Sequence, residues 1–160
     1  MPELIYAEMP VGRRVLLTSW ENAANELEKL RRSGRIVLSP GWDLPHTLEH
    51  CAQSIEYAMS GFPHLRHPLF RALAGKAAFH IFNLRGYMQH DLGADIPGSV
   101  LPAHPPTLEK AFDRLQETML RFENHRGPLM PHFAYGSLSK KQYERANILH
   151  IANHLSALEY

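Results

Sequence analysis

Residues 107–124, TLEKAFDRLQETMLRFEN, decide the fold. Leu108, Phe112, Leu115, Met119 and Phe122 step by four, three, four and three. That spacing lays apolar side chains along one helix face and packs them into the seam of a bundle. A helix over 107–124 follows. Before it runs a long loop, His90 to Pro106, holding Pro97, Pro102, Pro105 and Pro106. A loop of that length inside a compact domain is usually functional or packed over something.

Working outward, Ser139 opens a last helix that is expected to reach the C-terminus, after a loop from His125 to Ser137. Toward the N-terminus, Ser19 is a plausible N-cap for a helix to Arg32, closed by Ser33-Gly34. Its apolar side reads Trp20, Ala23, Ala24, Leu27 and Leu30. Asp43 caps a second helix, Leu44 to Ser60, with Pro45 in its first turn and Gly61 and Pro63 at its end. The stretch from Pro68 to Met88 is helical in composition, but Gly75 and Gly86 interrupt it, so an irregular helix is expected. The fold class is therefore all-α. It reads as a four-helix up-and-down bundle with an extra irregular helical segment and long loops, in one domain over residues 1–160.

Bulk composition excludes several functions. The chain of 160 residues is 44% hydrophobic and 21% charged with a formal net charge of +1, so a nucleic-acid partner held by a basic face is not expected. No apolar stretch approaches the roughly 20 residues of a membrane span. The N-terminus lacks the basic start and apolar run of a secretion signal. The single cysteine, Cys51, excludes an internal disulfide and suits a cytoplasmic location. Eleven histidines and twelve prolines are the unusual feature. The prolines mark breaks between elements, and the histidines are where chemistry is to be sought.

His150 and His154, four apart in HIANH, share one helix face. On the second helix the apolar face reads Leu44, Leu48, Cys51, Ile55 and Met59, with His46, His50, Ser54 and Tyr57 on a separate stripe. On the last helix Tyr143, Asn147, His150 and His154 lie beside an apolar face of Ile148, Ile151, Ala152, Leu155 and Leu158. Two such stripes facing one another would line a polar pocket inside the bundle. His50, His150 and His154 are thus candidate ligands for one divalent metal ion, nickel, zinc or iron. Three protein ligands leave a position open for water or substrate, the pattern of a catalytic site. Asn147 and Tyr57 are the candidate substrate-binding residues; no catalytic residue is assigned. Against this stands the plain reading, in which paired histidines cap carbonyls or face solvent.

His46-Thr47-Leu48-Glu49-His50 also matches the HxxEH zinc-peptidase signature, with Glu49 as base. His46, however, falls in an exposed first turn, and Glu49 reads as a surface residue or a partner of a ligand. His132 reads better as a buried hydrogen-bonding histidine than as a residue over the pocket, although either it or His46 could join the site. His64, His67, His104 and His125 flank proline or glycine and read as surface. Cys51 reads as a buried, inert thiol.

Three stretches together carry a family resemblance: GWDLPHTLEHCAQSIEYAMSGFP, DIPGS with LP after it, and GPLMPHFAYGSLSKKQYERANILHIANHL. Over about Arg14 to Leu155 the chain resembles an uncharacterised domain-of-unknown-function family within the DinB/YfiT-like metalloenzyme superfamily. The resemblance implies a four-helix bundle, commonly a homodimer. It also implies a nickel or zinc ion on three histidines, one from the second helix and an HxxxH pair from the last. Carried over, those are His50, His150 and His154. Characterised relatives are transferases and isomerases that use a low-molecular-weight thiol such as bacillithiol or mycothiol. The long proline-rich loop is not general in the superfamily.

The leading expectation is a metal-dependent enzyme, a thiol-dependent transferase or a hydrolase, acting on a small-molecule substrate. The alternative is a non-catalytic small-molecule-binding or interaction bundle, associating through the first helix or the interrupted third segment.

Overall fold

The computed structural model describes residues 14–34, 41–104, 106–158 and 160; among these it is all-helical, without a strand. Helix α1 spans Trp20–Arg32 and α2 spans Leu44–Ser60. The interrupted segment resolves into a short α3, Pro68–Phe70, a π-helical stretch, Arg71–Gly75, and α4, Lys76–Arg85. Helix α5 is Leu108–Asn124 and α6 is Lys140–Ser156, ending before the C-terminus. Pro105 of the long loop lies outside the described residues.

The helix starts are set by side chains. Ser19 Oγ accepts from Asn22 N–H at 3.1 Å, and Asp43 Oδ1 accepts from His46 N–H at 2.9 Å. Ser139 and Gln142 form a reciprocal capping box at 3.3 and 2.9 Å. Each cap satisfies amides that no helix carbonyl can reach, and is typically worth about 1 kcal/mol.

The two glycines of the third segment act differently. Gly86 closes α4 in the left-handed region at φ 76°, where a side chain would be strained. Gly75 has ordinary helical angles, but a Cβ there would lie 1.8 Å from the Ala134 carbonyl oxygen. It is glycine because the 132–136 turn packs directly on its backbone.

Helix α2 packs along α5 and against α6, α1 packs against both α5 and α6, and α4 lies on α6. The α5 seam behaves as its spacing requires: Phe112, Leu115, Met119 and Phe122 are buried, and only Leu108, in the opening turn, stays exposed. Trp20 of α1 meets Phe122 edge-on at 5.7 Å. Removing such side chains from water is worth roughly 1.5–3 kcal/mol each.

Helix α2 is enclosed on nearly every side. Besides Leu48, Cys51 and Ile55 it buries Thr47, Glu49, His50, Gln53 and Ser54. Buried polar groups need partners. Arg114 of α5 meets Glu49 at 2.7 Å and Glu56 at 3.0 Å. Gln53 Nε2 donates to the Val100 carbonyl at 3.1 Å, and His46 Nε2 lies 3.0 Å from the Pro102 carbonyl, so α2 tethers the far end of the long loop. Ile96 of that loop and Met88 just before it are also buried. On the outside, Leu69, Leu73, Ile81 and Leu84 of the third segment are exposed. Among the described residues no helix is long and apolar enough to cross a membrane.

Candidate metal centre

Packing of α2 on α6 brings His50 to the one-turn pair His150 and His154. His50 and His154 are buried, and His150 is partly so. The Nε2 atom of His150 lies 3.1 Å from that of His50 and 3.1 Å from that of His154. A neutral imidazole nitrogen carries either one proton or one lone pair. His150 Nε2 therefore cannot donate to one neighbour while accepting from the other, and hydrogen bonding alone does not satisfy the cluster. A cation does: imidazole nitrogens about 2.0–2.1 Å from one ion, at tetrahedral or octahedral angles, lie roughly 2.9–3.4 Å apart. The residues present fit a divalent metal ion.

Their protonation suits it too. Burial pushes the His50 imidazole down to about 4, with His90 adding to the effect. Burial and then the neighbouring imidazoles hold His150 and His154 well below the ordinary histidine range. All three are neutral at pH 7, the state in which imidazole binds metal.

Beside the triad is a cavity of about 220 Å³. His50, His90, His132, His150 and Asn147 supply its polar wall, and Met88, Ile96, Phe133 and Tyr135 much of the apolar one. Exposed Arg66 and Asp95 also border it. Drug-sized ligands occupy roughly 300–1,000 Å³, so this space suits a smaller molecule.

Of the two expected substrate-binding residues, Asn147 lines the cavity; it is buried, and its Nδ2 has no hydrogen-bond partner. Tyr57 packs on Phe62 with ring centroids 5.6 Å apart, and the phenol lining the cavity is that of Tyr135. His132 is buried with its Nδ1 accepting from the N–H groups of Ala134 and Tyr135, both at 3.1 Å. It stacks on the Tyr135 ring at 4.2 Å, and it stands outside the metal-holding set. Both ring nitrogens of His46 are engaged elsewhere, Nδ1 with Asp43 at 3.0 Å and Nε2 with Pro102, and its side chain is only 21% exposed.

Glu49 corrects the surface reading: it is buried and held by Arg114. Its carboxylate is bound in an ion pair toward α5, which removes the base that an HxxEH peptidase needs. Burial pushes the Cys51 thiol up to about 12, consistent with an inert core residue. His64, His67, His80 and His104 are exposed and His125 partly so.

The residue missed from sequence is His90. Its ring lies 5.1 Å from that of His150 and 5.4 Å from that of His154. It sits on the loop after α4 and shares no helical period with either, so spacing carried no signal for it.

A helical fold that converges three neutral imidazoles beside a small cavity defines a candidate metalloprotein. The chain belongs to the family described as "Protein of unknown function (DUF1569)", which it matches over residues 11–160. No curated protein matches it, and no solved structure does.

Proposed function

We propose that this chain is a metal-dependent enzyme of the DinB/YfiT-like superfamily, with α1, α2, α5 and α6 as its four-helix bundle. His50, His150 and His154 hold one nickel, zinc or iron ion, and a small-molecule substrate occupies the adjoining cavity. The observation that carries this reading is that His150 Nε2 stands 3.1 Å from both His50 Nε2 and His154 Nε2, an arrangement that hydrogen bonding does not satisfy. When bound, such an ion supplies Lewis acidity and lowers the pKa of a thiol or water brought to it.

The protein's own residues do the rest. Asn147 Nδ2 is free to donate to a substrate oxygen. Met88, Ile96, Phe133 and Tyr135 keep water from the reacting face, and His132 braces Tyr135 by stacking. The reaction class is transfer involving a low-molecular-weight thiol, or hydrolysis. A cytoplasmic homodimer is part of the same proposal, and the exposed leucines of the third segment supply an apolar surface for it.

Elemental analysis of protein purified without an affinity tag, beside a His150→Ala/His154→Ala variant, tests the reading. About one metal ion per chain, lost in the variant, is expected. Metal absent from both after soaking would overturn it and leave a small-molecule-binding bundle.

A further inference from the structure

We propose that His90 is a fourth metal ligand, an imidazole delivered by the loop after α4 to the ion held by the three helix-borne histidines. The inference rests on the metal-centre reading above and extends it to a residue on a different kind of element. Three observations support it. The His90 ring packs against both His150 and His154, at 5.1 and 5.4 Å between centroids. Its Nδ1 lies 2.8 Å from the Asp91 carbonyl oxygen. A carbonyl only accepts, so Nδ1 carries the proton and the lone pair is on Nε2. A backbone carbonyl on the far nitrogen is also the usual outer support of a metal-binding histidine. Finally, His90 Nε2 is buried and has no hydrogen-bond partner.

A buried acceptor left unpaired costs roughly 1–3 kcal/mol. Nothing in the packing of this loop calls for a histidine whose lone pair is wasted. The ligand atoms of His50, His150 and His154 lie within 4.8 Å of one another, and His90 stands outside that set. Ligation therefore draws the loop inward, whereas the helix-borne imidazoles already stand close together. A fourth imidazole also bears on which metal is bound. Tetrahedral zinc would be closed by it, while six-coordinate nickel or iron would keep positions for a substrate.

X-ray absorption on the nickel-loaded protein, with chelator competition for nickel affinity, tests this in wild type, His90→Ala, His90→Gln and His150→Ala. Four imidazoles are expected in wild type and three in both His90 variants, each still binding one nickel. Affinity should fall by at least the 10- to 100-fold that loss of an outer partner alone costs. Free imidazole added to His90→Ala should restore the fourth nitrogen scatterer, a readout that a merely structural loop residue would not move. The glutamine variant keeps the bulk of the side chain, and circular dichroism of each variant reports folding. Three imidazoles in wild type, or equal affinity in wild type and both His90 variants, would overturn the assignment. If wild type shows three imidazoles, both His90 variants match it in imidazole count and affinity, and His150→Ala loses nickel, the metal centre stands and only His90 falls. If wild type binds no nickel, both fall.

Discussion

Lowering the pH from about 7.5 to about 5 is expected to remove about 4 kcal/mol of stability from the metal-free protein through two histidines alone. His50 and His132 have ordinary values of 6.5 and are held in the fold at about 4 and about 3, with burial the first cause for each. Between those values the unfolded chain binds protons that the folded chain refuses. Stability is therefore complete above about pH 6.5 and falls as the pH drops toward the folded values. At about pH 5, some 1.5 units below the unfolded value, each histidine costs about 2 kcal/mol at ~1.36 kcal/mol per unit. His150 and His154, also held low, add loss of the same sign. Against a typical total of about 5–15 kcal/mol, the loss is large. Urea unfolding of chelator-treated protein, followed by circular dichroism at the two pH values, measures it. His132→Gln should remove about half of the 4 kcal/mol dependence assigned to the pair. An unfolding midpoint that stays the same at both pH values would refute the reasoning, since it would mean that these imidazoles are not kept neutral by burial.

Gly75→Ala sets two effects against each other. Helix propensity favours alanine by up to about 1 kcal/mol, but the new methyl would lie 1.8 Å from the Ala134 carbonyl oxygen. Overpacking of this kind costs typically ~1–3 kcal/mol, so a lower melting temperature is expected; one equal to or above wild type would deny the close approach. A Leu73→Lys/Leu84→Lys double variant alters two exposed residues and should leave folding intact while converting the proposed dimer to a monomer in sedimentation. An unchanged mass would place the interface elsewhere.

Periodicity made the main helices legible. Phe112, Leu115, Met119 and Phe122 stand at helical intervals because a helix must hide one face, and the structure buries all four. Ser19, Asp43 and Ser139 marked helix starts because orphan amides need acceptors there. The metal candidates were legible for the same reason: i and i+4 fix His150 beside His154, and a matching stripe offered His50. Contacts made across elements were not. Glu49 read as a surface residue or a partner of a ligand because charge usually seeks water, and only the approach of Arg114, 65 residues away, makes its burial tolerable. His90 gave no signal in the sequence because a loop has no period to read. Gly75 was recognised as an interruption, but its cause, the backbone of a turn nearly 60 residues later, is a matter of packing.

The tethering of the long loop has an evolutionary consequence. Its entry is fixed by the Gly86 cap, Met88 and Ile96 anchor it in the protein, and Gln53 and His46 hold Val100 and Pro102. Asp91, Gly93, Ala94 and Asp95 are exposed between the two anchors, and Ala94 and Asp95 border the cavity. The helices that carry His50, His150 and His154 and the exposed rim of the cavity at 91–95 are thus separate stretches of one chain. Substitution at 91–95 would reshape the mouth of the cavity while leaving His50, His150 and His154 where α2 and α6 put them.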